Sequence, residues 1–443
     1  MSEMESQNSW LEAKLGDLGS FSTSGVDKKI AAGERPVRLI NYMDVYRRNV
    51  IDASIDFMEV TASTAAIAKS SVQYGDVLFT PSSETPDDIG HSAVVVEELP
   101  DHLHSYHTVR FRLFDQECLD VGFRAWFANT DSVRKQFEQK CAGSTRYTLP
   151  LPAFRSVVVT FPISRKTQAK IARILQAVDR AIEKTEALID KYQQIKAGLM
   201  HDLFTRGIGP DGQLRPPREL APELYQETPI GWIPKEWSVK RLADACDWFS
   251  GGTPSKARED WWLGDLPWLS PKDMKKFELS DTEHHVTKKA AVSGSRVVPE
   301  ETVFIVVRGM ILAHSFPVVI SRNEFSFNQD IKALRGRGAL DNRYLAYWFV
   351  ANKNLFLKKT TESTHGTKRL DLHDLYAIQI VIPSVAEQEG IVRRIDVAES
   401  MIESTLLQRD KLQLQKSGLM HDLLTGKVPV HVEPEEEPEA AHV

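Results

Sequence analysis

The hexapeptide Gly-Leu-Met-His-Asp-Leu occurs twice in this 443-residue chain, at 198–203 and again at 418–423. In the register that aligns the two copies, residues 168–205 and 388–425 agree at 17 of 38 positions without a gap. Agreement of that order is a duplication, and it constrains the fold more than any other feature: what one half folds into, the other must fold into as well. Both copies carry apolar residues at steps of three and four. The first has Ile171, Leu175, Val178, Ile182, Ile189, Leu199 and Leu203; the second has Ile391, Ile395, Ile402, Leu412, Leu419 and Leu423. Neither copy contains proline, and Gly207 and Gly426 follow their ends as helix stops. Each stretch is therefore predicted to be a helix of about 40 residues, roughly 60 Å long at 1.5 Å per residue. The heptad phase suits coiled-coil seams, with Thr185 matched to Thr405 and Lys196 to Lys416.

The segments before these helices repeat more faintly. Trp10, Leu15 and Asp17 have the spacing of Trp237, Leu242 and Asp244. Gly143-Ser-Thr-Arg precedes the apolar run VVVTFP, and Gly366-Thr-Lys-Arg precedes IQIVIP; each run then leads into its long helix. Short β-rich runs such as GDVLFT (75–80), YHTVRFRLF (106–114) and TVFIVV (302–307) lie between turn-forming stretches. The expected fold is mixed α/β (α+β) with a pseudo-twofold internal repeat. Two globular units, 1–163 and 231–384, are each followed by a long helix, 164–206 and 385–426. A linker rich in proline and glycine, 207–230, joins the halves, and 427–443 reads as an acidic disordered tail. Two helices of equal length suit an antiparallel pair carrying one globular unit at each end.

Composition narrows the class. At 42% hydrophobic and 26% charged residues, the chain has the balance of a globular protein and not of a disordered or collagen-like one. No apolar run approaches the roughly 18 residues of a membrane span, and the polar start MSEMESQNSW is unlike a signal peptide. Cys118, Cys141 and Cys246 lie far apart, which fits a reducing cytoplasm better than a disulfide framework or a thiolate zinc site. The net charge of −6 is unevenly spread: 1–163 carries −6, while 164–206 and 231–384 each carry +4 and the tail −4. A phosphate-binding surface needs a local basic face, so this balance neither supports nor excludes DNA.

Catalytic signatures are few. The chain has no phosphate loop, no G-x-G-x-x-G after a strand, no H-E-x-x-H and no G-x-S-x-G. It also lacks the Asn/Asp-Pro-Pro-aromatic sequence of adenine methyltransferases. His102, His104 and His107 offer a weak metal cluster, and Asp101 with Glu138 and Lys140 a loose nuclease-like pattern; solvated strand residues explain both as well. What remains is binding chemistry. In the second unit, Gly251, Gly252, Thr253 and Lys256 form a loop suited to phosphate, and Ser270 and Lys272 follow Trp268. Arg308 closes a buried strand, and His365, Thr367, Lys368 and Arg369 cluster before the last one. In the first unit the counterparts are Thr80, Ser82 and Ser83, then Arg110 and Arg112 on one strand face, then Ser144, Thr145 and Arg146. A hydroxyl-and-basic loop just before each final strand recurs in both halves.

These features together resemble the specificity subunit of type I restriction-modification systems. The carrying motifs are GLMHDLFTRGI and GLMHDLLTGKV at the helix ends, the opening IGWIPKEWSVKRL (230–242), and GGTPSK followed by LPWLSPKDM. Gly75-Asp-Val-Leu-Phe-Thr with SSETPDDIG supports the first half. The resemblance spans roughly residues 10–426 and implies a non-catalytic subunit. Its two target recognition domains would each read half of a split site on double-stranded DNA, and its helices would dock two methyltransferase subunits. Two restriction subunits join in systems that cut. On this view the chain itself binds no cofactor; S-adenosylmethionine, ATP and Mg belong to the partners. Ile171, Leu175, Ile182, Leu199, Ile391, Ile395, Ile402 and Leu419 would form the subunit interface. The acidic tail falls outside the pattern. Two other classes stay open: a stand-alone nuclease with a duplicated binding frame, and a coiled-coil scaffold or DNA mimic.

Overall fold

A computed structural model describes residues 9–362 and 366–432. By internal contacts these divide into two units. Unit 1 takes the chain up to Glu186 together with the stretch from Leu407, and unit 2 takes Ala187–Leu406. Each unit is built on a five-stranded sheet of the same connectivity. In unit 1 the order is Gly19–Thr23, Val109–Leu113, Val77–Phe79, Ser92–Val95, Val50–Ile51; in unit 2 it is Cys246–Ser250, Ile331–Gly336, Val303–Val306, Val318–Ser321, Glu278–Leu279. In both sheets the inner pairings are antiparallel and the last strand pairs parallel. The central strands are continuous apolar runs buried along their length, as sheets covered on both faces require. A two-stranded pairing recurs beside each sheet: Trp10–Lys14 with Val158–Pro162, and Ser238–Arg241 with Gln379–Ile382. Each unit carries a smaller second sheet, three-stranded in unit 1 and four-stranded in unit 2.

The duplicated segments form helices Arg165–Thr205 and Val385–Leu424, of 41 and 40 residues. Both start on a serine 220 positions apart: the Ser164 and Ser384 hydroxyls accept the backbone N–H of Thr167 and Glu387 at 3.3 Å, satisfying a donor that the helix leaves unpaired. Both stop at a glycine in the left-handed region, Gly207 at φ +63° and Gly426 at φ +72°. A β-carbon on Gly207 would come within 2.3 Å of the Trp237 ring, and one on Gly426 within 2.5 Å of Trp10. The faint Trp10/Trp237 match in the sequence is thus a pair of tryptophans seated on the two helix ends.

Each helix contributes to both units, and within each unit the two helix segments run antiparallel. In unit 2, Lys196 pairs with Glu399 while Ile208 N–H donates to Glu387 at 2.8 Å. In unit 1, Lys416 pairs with Asp179 at 2.6 Å. The two lysines are 220 apart, and so are their acidic partners, so one ion pair is made twice in reciprocal fashion. Ile171, Leu175, Ile391 and Ile395 are fully buried, each in the core of its own unit.

A buried amide ties each helix start to its unit. Gln168 donates to the carbonyls of Pro162 (2.8 Å) and Cys118 (3.2 Å) and accepts from Asp120 N–H (2.6 Å). Gln388 donates to Pro383 and Ala339 and accepts from Asp341 N–H, all at 2.9 Å. Neither side chain has any exposed surface, so three of the four hydrogen-bonding sites on each amide are used to seat a helix.

Candidate nucleic-acid interface

In both units the end of the central strand gathers hydroxyl and basic loops. In unit 1 the strand Val77–Phe79 leads into Thr80, Ser82 and Ser83; Ser82–Ser83 then pairs antiparallel with Tyr147–Thr148, directly after Gly143–Arg146. In unit 2 the strand Val303–Val306 leads into Arg308, which bridges Arg369 at the end of the loop from Gly366. Leu149 N–H donates to Pro81 and Leu370 N–H to Val307, each at 2.8 Å, closing the corresponding corner. The two nominated loops of each unit are therefore neighbours, although they lie about 60 residues apart in sequence.

The nominated side chains fall into two groups. Ser144, Thr145, Arg146, Thr253, Lys256, Lys272, Arg308 and Arg369 are exposed. Others are committed inside the protein. Thr80 is fully buried. Arg110 Nη1 donates to the carbonyls of Ser71 (2.5 Å) and Lys69 (3.2 Å), and Arg112 forms a two-pronged pair with buried Asp76 at 2.6 and 2.7 Å. The hydrogen bond to Asp76 raises the Arg112 pKa above the usual arginine value, while burial lowers that of Arg110. Ser270 holds Asp273 through its hydroxyl (2.7 Å), and Lys368 pairs with Glu362 at 2.8 Å. Gly251 and Gly252 leave room for the protein's own backbone: a β-carbon there would meet Phe327 O at 2.2 Å and Gly294 O at 2.3 Å. Thr367 is half-buried, and His365 lies outside the described residues.

The weaker catalytic patterns are occupied otherwise. His102 Nδ1 contacts the Pro100 carbonyl at 2.8 Å, and buried His104 contacts Thr108 Oγ1 at 3.2 Å. Burial pushes the His104 pKa down to about 3, so its imidazole is neutral at physiological pH. Asp101 bonds Arg35 at 2.8 Å. Among the described residues no group of three His, Cys, Asp or Glu side chains converges to hold a metal. None of the helices described is long and apolar enough to cross a membrane.

The nominated subunit interface is corrected in part. Ile171, Leu175, Ile391 and Ile395 have no surface to offer a partner, because each fills its own core. Other residues of the two helices line grooves. Gln193, Lys196, Met200, His201 and Thr205 line a groove of about 500 Å³ in unit 2, and Gln413, Lys416, Met420, His421 and Thr425 one of about 620 Å³ in unit 1. Each of these five residues is identical to its match 220 positions away, while Ala197 and Ser417 at matching groove positions differ. The periodicity argument missed this face because it follows apolar positions alone.

Lys332 also escaped the sequence reading, since one lysine inside a strand carries no motif. Its signal was the polar interruption of the apolar run Ile331-Lys-Ala-Leu. Ser250 flanks it on the neighbouring strand, and its ammonium donates to that hydroxyl at 2.6 Å.

Residues 234–413 match the family model described as type I restriction modification DNA specificity domain. Among curated proteins, the chain is 30% identical over 183 residues to the type I restriction enzyme EcoR124I/EcoR124II specificity subunit of Escherichia coli. That match covers 41% of this chain and 45% of the relative. It is also 30% identical over 193 residues to the MjaIX specificity subunit of Methanocaldococcus jannaschii, covering 43% and 44%. The chain thus spans less than half the length of these two relatives. Two solved structures share the fold over nearly the whole chain. The type I restriction-modification S subunit from M. genitalium superposes with a TM-score of 0.54 at 12% identity, covering 94% of this chain and 96% of that one. A chain from a study of complex assembly and conformational transition in a type I system gives 0.58 at 16% identity, covering 94% and 97%.

Proposed function

We propose, from the match of residues 234–413 to the type I restriction modification DNA specificity domain, that this chain is the non-catalytic specificity subunit of a type I restriction-modification enzyme. Each unit reads one half of a bipartite site on double-stranded DNA. The helices dock two adenine methyltransferase subunits, and two motor-nuclease subunits join where the system restricts. S-adenosylmethionine, Mg and ATP then act on those partners. The observation that carries DNA reading is the pairing of the same two loops at the end of the central strand in both units. Two copies of one binding frame call for two half-sites. Exposed cations and hydroxyls there hold phosphates, while the loop tips reach base edges in the major groove, where all four base pairs differ. The subunit's share in catalysis is to bring a methyltransferase to one adenine, which is positioning and not proton transfer.

Docking rests on a separate observation. Gln193/Gln413, Gly198/Gly418, His201/His421 and Thr205/Thr425 are exposed in both copies and identical in both, while their exposed neighbours Gln194/Leu414 and Ile195/Gln415 have diverged. A β-carbon at either glycine would meet nothing inside the chain, and a surface kept twice fits a partner bound twice. The test is to express the chain with and without an adenine methyltransferase in a host that lacks adenine methylation, then map the modified adenines. Methylation within a single interrupted motif, present only when both are expressed, is the expected result. Methylation that does not depend on this chain would overturn the reading.

A further inference from the structure

Lys332 sits in a setting that is electrically one-sided. Its strand runs between Ser250 on one neighbour and Ile305 on the other. Arg308 N–H donates to the Asp330 carbonyl at 3.3 Å, so both cations lie at one end of paired strands; burial first, and the nearby Arg308 guanidinium second, lower the Lys332 pKa below the usual lysine value. Arg308 itself is held loosely, 3.8 Å from an Asp330 oxygen. Arg369, bridged to Arg308 through the backbone, adds a third exposed cation. Beside them the Thr253 hydroxyl engages the Gln329 side-chain oxygen at 2.7 Å, which leaves the Gln329 amide group to donate. A half-buried lysine near an arginine whose own carboxylate partner is 3.8 Å away favours an anion that both cations can hold.

We propose that Lys332 and Arg308, steadied by Ser250, hold one backbone phosphodiester of the DNA that unit 2 reads; this rests on the DNA-reading function proposed above. The phosphate oxygens take the ammonium and the guanidinium as donors. The contact fixes the register of unit 2 on the duplex and carries no base preference of its own.

Unit 1 holds an arginine at the matching place and uses it differently. Arg110 neighbours Ser22 and Leu78 as Lys332 neighbours Ser250 and Ile305. Its guanidinium is turned onto the Ser71 and Lys69 carbonyls through Nη1. The two units, alike in topology, therefore grip the DNA backbone differently at this position.

The test uses the full chain assembled with its methyltransferase and a duplex carrying the motif that the assembly methylates. In a salt titration of binding, Lys332→Ala should reduce the slope of log affinity against log salt by up to about one ion, and adding Arg308→Ala should weaken binding further without taking the total above the roughly one ion that a single phosphate releases. Affinity should fall by the same factor on the motif and on singly substituted duplexes. Lys332→Arg should restore the slope, and Lys332→Met, which keeps the apolar stem, should reproduce the loss if alanine loosens the strand. One methylphosphonate in the second half-site should weaken the unaltered protein and leave Lys332→Ala indifferent. Arg110→Ala should keep the slope and lower the melting temperature. If the unaltered assembly binds its motif while every Lys332 variant keeps the full slope and every methylphosphonate response, the phosphate seat is wrong. An unaltered assembly that shows no preference for the motif would instead overturn the DNA-reading function, and the seat with it.

Discussion

Leucine in place of Gly198 or Gly418 is expected to leave the chain folded and to remove one docked methyltransferase; the double replacement should remove both. A glycine inside a helix costs about 1 kcal/mol relative to alanine, so a long helix retains one only for a reason. Inside this chain there is none, since a β-carbon at either position would meet nothing within 4 Å. Both glycines are exposed and fall within the hexapeptide that the two copies share without change. The room they leave is room for something outside the chain to come close to the helix backbone, and a leucine there fills it. Removing glycine should slightly raise the melting temperature of the isolated chain, so lost docking could not be ascribed to unfolding. Native mass spectrometry of the co-expressed complex reads the outcome directly. Full stoichiometry in the double variant would show that the partner docks elsewhere.

The largest loss of stability is expected at Gln388 and Gln168. Gln388→Leu would leave the Pro383 and Ala339 carbonyls and the Asp341 N–H without their partner in a site sealed from water. Each stranded group costs about 1–3 kcal/mol, so the three together should remove roughly 3–9 kcal/mol, a large share of the roughly 5–15 kcal/mol that keeps a typical domain folded. Gln168→Leu should do the same in unit 1. Hydrogen exchange at the Asp341 and Asp120 amides would locate each loss in its own unit, with exposed Gln413→Leu as the near-neutral control. A change under 1 kcal/mol at both glutamines would mean that these amides do not seat the helices.

The long helices were legible because duplication and a three-to-four spacing state the same element twice. Their stops at Gly207 and Gly426 were legible for the same reason. The sheets were legible only as separate apolar runs. Pairings such as Val77–Phe79 with Val109–Leu113 join segments whose separation no local pattern encodes. Within the candidate interface, the two loops before each final strand could be nominated from their glycines, hydroxyls and charges. Whether a charge was free could not be read, because that depends on a distant partner. Arg110 and Arg112 look like DNA-facing residues until Ser71 and Asp76 arrive from another element. The glycines of Gly251-Gly252 looked like room for a phosphate and are room for the Phe327 and Gly294 carbonyls. Gln168 and Gln388 were visible as an identity at the start of the repeat, but an isolated identity does not say what the amide holds. The acidic run from Glu433 onward lies outside the described residues, and its contribution rests on sequence alone.

The central claim is that two separate units each read their own half of one DNA site. It is tested most directly by exchanging residues 231–384 for the equivalent segment of a relative with a different motif, then sequencing the methylated DNA from cells that express the hybrid with the methyltransferase. The account predicts an interrupted motif in which one half is replaced and the other is kept. A hybrid that folds and supports methylation but changes both halves of the motif, or neither, would contradict it.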